Sequence, residues 1–190
     1  MAMPDARTDW TLEMVHALPD DGNRYELIDG ELLVGPAPSF LHQRVVFALA
    51  DVLRAYTKVL GGHEALGAPI AVTFSHRREL QPDLCVLPFL KGRKVARFSD
   101  IGRLLLAVEV LSPGSARNDR YKKRPLYQQE GVPEYWIVDP AARLVARWRP
   151  VDAEPEVLLT TLAWRPLAEC EALEIDLEAL FREAHDDQPL

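Results

Sequence analysis

Glu109 is the single charged residue in the apolar run 104–111, and Asp83 stands immediately ahead of a second apolar run in Gln81-Pro82-Asp83-Leu84-Cys85-Val86-Leu87. An ionised carboxylate inside a covered strand costs several kcal/mol in desolvation unless a cation or hydrogen-bond donors compensate, so Glu109 needs a metal ion, a lysine or an arginine beside it. The two acids lie 26 residues apart on successive predicted strands. Neighbouring strands would bring them close, and close carboxylates repel unless a cation lies between them. Oxygen donors without clustered His or Cys suit a hard divalent ion, Mg²⁺ or Mn²⁺, held by one or two carboxylates with water completing its shell. Such an ion activates water and stabilises a phosphoryl transition state. A lysine beside it would orient the water or offset developing charge. The segment 117–124 supplies the candidates, with Arg117, Arg120, Lys122, Lys123 and Arg124 around the single acid Asp119.

These residues have to be positioned by their elements. The run 104–111 has the length and composition of a strand covered on both faces. It stops at Ser112-Pro113-Gly114-Ser115; 126–130 predicts a helix that Gly131 caps and Pro133 ends, and 135–138 a second buried strand. Strand, helix, strand implies a parallel crossover. Upstream, Asp29-Gly30 between 25–28 and 31–34 predicts a β-hairpin with a type I′ turn. Pairing Ile28 with Glu31 and Glu26 with Leu33 puts Tyr25, Leu27, Leu32 and Val34 on one apolar face. Glu26 and Glu31 then fall on the mixed face as solvated acids, with Glu31 kept as a secondary site candidate.

Ser39 offers an N-cap for a helix whose apolar positions Leu41, Val45, Leu49, Val52, Leu53 and Tyr56 recur at helical spacing up to Gly61-Gly62. His42, in its first turn, is a secondary candidate for contact with a phosphate or a catalytic acid, although a lone histidine is ordinarily a hydrogen-bonded structural residue. Strands at 68–74 and 80–87 form a second hairpin, with Pro82 at a strand start or bulge. Both hairpins, the run 104–111 and 135–138 are expected to share one mixed sheet. A strand pair at 144–148 and 157–162 and a short helix at 177–183, capped by Asp176, complete the chain. The basic connection 91–100 fits an ordinary loop.

The chain has 190 residues, 48% of them hydrophobic, which suits one domain with a real core. Its expected layout is a core over 25–150 followed by an extension, 151–190. The net charge of −7 argues against a generally basic nucleic-acid binder, but residues 151–190 alone carry 2 Lys or Arg against 11 Asp or Glu. The acidity therefore belongs to the extension. The polar N-terminus, residues 1–10, has no apolar signal core and no run reaches membrane-spanning length, which gives a cytoplasmic expectation. Cys85 and Cys170 form neither a metal-spaced pair nor a disulfide framework.

Pro82-Asp83, Glu109 within Glu-Val-Leu-Ser-Pro, Asp119-Arg120 with Lys123 and Tyr127, and the stretch from Gly131 through Pro133-Glu134-Tyr135-Trp136 to Asp139 together resemble the Uma-type restriction endonucleases of the PD-(D/E)XK superfamily. The resemblance takes in the Tyr-Glu-Leu-Ile-Asp-Gly-Glu hairpin and His42-Gln43, covering about 25–148. It implies an α/β (α+β, mixed-sheet) restriction-endonuclease-like core with an N-terminal β-hairpin and a small C-terminal β/α extension. It also implies Mg²⁺-dependent cleavage of DNA phosphodiesters by Asp83, Glu109 and Lys123, with Asp83 and Glu109 as metal ligands.

One departure bears on the site. The superfamily's (D/E)xK spacing would put the lysine at position 111, where this chain has Leu111. The resemblance moves that role to Lys123 on the following helix, with Lys122 as a substitute because Pro125 disturbs the helix between them and its C-terminal part. Asp119 either caps that segment or reaches the site. Arg117, Arg120, Lys122 and Arg124 are the expected DNA contacts, and DNA and a second copy of the chain are the candidate partners. The rival reading is a nuclease-fold DNA-binding or protein-interaction module without catalysis, in which an internal cation neutralises Glu109 and leaves no room for water or metal. A Ser112 or Ser115 hydrolase lacks a base and an oxyanion-hole motif.

Overall fold

The computed structural model describes residues 9–35 and 38–186. Most of the segment behind the N-terminal expectation, and the last four residues of the acidic extension, lie outside the described residues. In chain order the elements are α1 (Leu12–His16), β1 (Arg24–Ile28), β2 (Glu31–Gly35), α2 (Phe40–Leu60), β3 (His63–Gly67), β4 (Val72–Ser75), β5 (Arg78–Leu80), β6 (Leu84–Pro88) and β7 (Leu106–Val110). There follow α3 (Ala116–Asn118), a π-helical turn (Asp119–Lys123), α4 (Arg124–Gln129), β8 (Glu134–Asp139), β9 (Leu144–Trp148), β10 (Glu156–Leu158), β11 (Thr161–Trp164), β12 (Leu173–Asp176) and α5 (Leu177–His185).

The first hairpin has the expected register, with Ile28 opposite Glu31 and Glu26 opposite Leu33. Asp29 and Gly30 both take positive φ, +52° and +88°, the conformation a type I′ turn requires. The burial departs from the expectation. Leu27 on the apolar face is fully buried, but Val34 on that face is 43% exposed, and on the mixed face Glu26, Ile28 and Leu33 are buried. Both faces are covered in part, and Glu26 points into the molecule.

The strands do not form one sheet. A four-stranded sheet has the order β2-β1-β5-β4, and a six-stranded sheet the order β10-β9-β8-β7-β6-β3. The segment expected as one strand over 80–87 is two strands: β5 ends at Leu80 in the first sheet and β6 begins at Leu84 in the second. Pro82 accounts for the break, because it has no N–H for a ladder and sits best where pairing stops. Asp83 thus stands at the crossing between the sheets. The parallel pairing of β7 with β8 follows the expected crossover. β9 pairs antiparallel with β10, but the run expected as one strand over 157–162 is divided between β10 and β11, and β11 pairs with β12 in a separate two-stranded sheet.

The six-stranded sheet is covered on both faces, which is why β7 and β8 read as nearly unbroken apolar runs. On one face Val86, Val108 and Trp136 pack with Val45, Leu49 and Leu53 of α2 and with Trp164, Leu177 and Phe181 from the chain's last quarter. On the other, Cys85, Ala107, Tyr135 and Ile137 pack with Leu126 and Tyr127 of α4 and with Ile28, Leu33 and Leu80 of the smaller sheet. Asp176 caps α5 by accepting from the Ala179 amide, and Ser39 caps α2 by accepting from the His42 amide, both as expected.

Candidate active site

The edge where the two sheets meet forms a cavity of about 370 Å³. Asp83, Glu109, Asp119 and Lys123 line it, joined by Arg24, Glu26 and His42. Asp83 is only 2% exposed, and its carboxylate is fixed from three sides. Oδ1 accepts from the Arg24 guanidinium at 2.8 Å; Oδ2 accepts from the Val110 amide at 2.8 Å and faces His42 Nε2 at 3.3 Å. The Val110 bond sets Asp83 against the strand position next to Glu109.

Glu109, also 2% exposed, finds the cation that its burial demands. Lys123 Nζ donates to its Oε1 at 3.0 Å, and the Tyr127 hydroxyl donates to the same oxygen at 3.3 Å. The Lys123 ammonium also lies 2.7 Å from Glu26 Oε2 and 3.2 Å from Asp119 Oδ1. Neither oxygen of Asp119 makes a hydrogen bond, although both are buried.

Four buried carboxylates thus surround two permanent cations, Arg24 and Lys123. Burial, aided by Asp119, Asp83 and Glu26, raises the Glu109 carboxyl well above the ordinary carboxylate range despite Lys123. Burial likewise raises Asp119. Burial opposes the Lys123 charge, but Glu109, Glu26 and Asp119 override it and hold the ammonium well above an ordinary lysine. His42 is lowered by its burial, so its ring is neutral near pH 7. With Nε2 turned to a carboxylate, the proton belongs there, and the buried Nδ1 is left without a partner.

This donor set fits a hard divalent ion in one respect and limits it in another. Excess negative charge, all-oxygen donors and a room-sized cavity match such an ion. Among the described residues, however, no three His, Cys, Asp or Glu side chains converge on one ion position. An ion here is therefore of the kind held by one or two carboxylates with water in the remaining positions.

The helical segment that delivers Lys123 runs through Pro125 without a gap. The Arg124 amide bonds to the Asp119 carbonyl in a widened π turn, and Pro125 follows it at the start of α4, so the wider turn accommodates the N–H that proline lacks. That turn buries both Asp119 and Lys123. Lys122 instead pairs with half-exposed Glu31. Of the basic residues expected to face DNA, Arg120 pairs with Asp139, and Arg124 lies 4.6 Å over the Trp148 ring. Arg117 is exposed. Lys123 alone of the basic residues in 117–124 lines the cavity.

Two members of the cluster, Glu26 and Arg24, escape a reading of the sequence, since both sit on the hairpin face taken as solvent-facing. The signal available was their alternation with Ile28 and the pairing of Glu26 across from Leu33, which marks that face as half apolar.

The family described as "Uma2: Putative restriction endonuclease" matches residues 12–180, well beyond the stretch over which motifs are recognisable by eye. Among solved structures, the chain is similar to a "putative nuclease belonging to DUF820" from Anabaena variabilis ATCC 29413. The two superimpose with a TM-score of 0.74 at 21% identity, over 92% of this chain and 98% of that one. No curated protein matches the chain.

Proposed function

This chain belongs to the Uma2 restriction-endonuclease family, and from that premise we propose that it is a divalent-metal-dependent endonuclease hydrolysing phosphodiester bonds of DNA. The observation that carries the proposal is the meeting of Asp83, Glu109 and Lys123 in one cavity with more buried carboxylate than permanent positive charge to balance it. Asp83 and Glu109 would hold the ion, Mg²⁺ or Mn²⁺. When bound, the ion supplies charge that favours attack by water and stabilises the phosphoryl transition state.

The rest of the work falls to the protein's own groups. Lys123 has its ammonium beside Glu109, where a proton-rich cation can orient a water or meet charge developing on a phosphate oxygen. The lysine side chain is only 4% exposed, so its charge acts at low dielectric. Arg24 and the Val110 amide hold Asp83 in a single orientation. His42, neutral and packed against Asp83, adds a steric wall without adding a competing charge.

The rival reading, a nuclease-fold module without catalysis, is favoured by one observation: Lys123 neutralises Glu109 internally. That reading also requires a filled site, and the cavity of about 370 Å³ beside both acids supports the enzyme instead. Supercoiled plasmid incubated with the protein, with and without Mg²⁺ or Mn²⁺, tests the choice. Nicking that needs the ion and disappears in Glu109→Gln is the expected result; undiminished nicking by Glu109→Gln would remove the assignment, and absence of nicking under every ion would favour the module. Nicking lost in Lys122→Ala but kept in Lys123→Ala would move the lysine role by one residue.

A further inference from the structure

We propose that Glu26 is the fixed counter-charge that positions Lys123, an assignment that rests on the nuclease reading of the site and adds a positioning residue to it. Glu26 comes from the smaller sheet and Lys123 from the helical segment, so this contact joins the two halves of the cavity wall. Both side chains are 4% exposed and their charged atoms are 2.7 Å apart, nearer than Lys123 is to Glu109 at 3.0 Å or Asp119 at 3.2 Å.

The three acids are not equivalent. Glu26 is pinned at its other oxygen, Oε1, by the Gln81 backbone amide at 2.8 Å, and it sits inside a paired strand. Its carboxylate cannot follow the lysine if the lysine moves. Asp119 rides on the same helical segment as Lys123, and so fixes it relative to nothing outside that segment. Glu109 is the acid that an ion would draw on. When Glu109 turns its charge to another cation, Lys123 needs a counter-charge that stays in place, and only Glu26 meets that description among the three.

An acid in this position keeps the ammonium protonated and aimed while leaving Glu109 available. With Gln at 26, Lys123 would collapse onto Glu109 and Asp119, away from where a phosphate would sit. Glu26 therefore acts through Lys123 and touches neither ion nor substrate.

Two measurements test this on the full chain. The first is independent of cleavage: ¹H–¹⁵N spectra of protein labelled at the lysine Nζ atoms, of which the chain has five. A buried, ion-paired ammonium exchanges slowly with water and gives a resolved signal, assigned by its disappearance in Lys123→Ala. Glu26→Gln is expected to shift and broaden that signal, and to do so more than Asp119→Asn, which removes a neighbouring charge but not the anchor on the smaller sheet. A Lys123 signal unchanged in Glu26→Gln overturns the proposal.

The second is a cleavage cycle over Glu26→Gln, Lys123→Ala and the double variant. Glu26→Gln is expected to lower kcat by about tenfold or more with little change in KM, and to add nothing in the Lys123→Ala background. An additional tenfold loss in the double variant means that Glu26 acts by a separate route and overturns the proposal. Glu26→Asp, which keeps the charge, is expected to recover part of the loss and covers the case in which Glu26→Gln folds poorly. A parent protein that cleaves nothing defeats the nuclease reading, while the lysine spectra still decide the Glu26 contact.

Discussion

A carboxylate in the middle of a covered strand persists only with a cation, and Glu109 has Lys123 as that cation. The converse also holds. Lys123 is surrounded by three acids, so Lys123→Ala leaves buried carboxylates with no counter-ion and is expected to destabilise the metal-free protein by about 3–5 kcal/mol, measured by urea unfolding. Proton linkage is cleaner at Cys85, which is fully buried in the sheet and whose thiol is pushed up from 9.0 to about 12 by burial. A raised pKa in the folded state means that the unfolded chain gives up its proton first. Stability is then fully present below pH 9.0 and lost as the pH climbs towards 12. Between pH 8 and 10, Cys85→Ala is expected to flatten the fall in stability seen in the parent, whatever its own starting level. An equal slope in both proteins would show that the thiol does not titrate as its burial requires.

Two prolines shape the elements that bring the site together. Pro82 ends pairing in one sheet so that the chain can enter the other, leaving Asp83 at the junction. Pro125 has no amide to return to the carbonyl of Tyr121, which favours the wider turn just before it. Pro125→Ala restores that amide and removes the ring, allowing the segment to close into regular α-helix and rotating Lys123 relative to Glu26. Cleavage is expected to fall several-fold while Tm stays level or rises. A variant with full activity would show that the turn is held by its packing and not by the proline. At the far end of the chain, Asp176→Ala removes the α5 cap and is expected to cost about 1 kcal/mol in chemical denaturation.

Across the whole molecule, the acidic C-terminal region is no appendage. Leu162, Trp164, Ile175, Leu177 and Phe181 are buried in the same cluster as α2 and the six-stranded sheet. Trp164, 1% exposed and edge-on to Trp136 at 5.7 Å, should cost about 3–5 kcal/mol when replaced by Ala. Circular dichroism and tryptophan fluorescence are expected to report one shared unfolding transition; two separated transitions would divide the chain into independent units. Binding to DNA, which must overcome a net charge of −7, is expected to weaken steeply with salt. Arg117→Ala should lower the slope of log K against log salt by about one if this exposed arginine meets a phosphate.

Asp83 and Glu109 were legible in the sequence as candidates because each breaks a local pattern, an acid behind a strand-ending proline and an acid in an apolar strand. The basic cluster between the parallel strands marked the segment that would supply a lysine, and only the family resemblance singled out Lys123 within it. The hairpin register, the parallel crossover and the caps of α2 and α5 were legible too, since turn chemistry and short-range hydrogen bonding determine them. The burial of Glu26 was not. Register decides which residues share a face, but the identity of the inward face depends on which other layer packs against it, here the six-stranded sheet and Tyr127. The division into two sheets likewise lay beyond local pattern, because the apolar residues of β5 and β6 serve either arrangement equally well. Chain order supplied the acids and the lysine; only the packing of one sheet on the other decided that Lys123, and not Lys122, would stand among them.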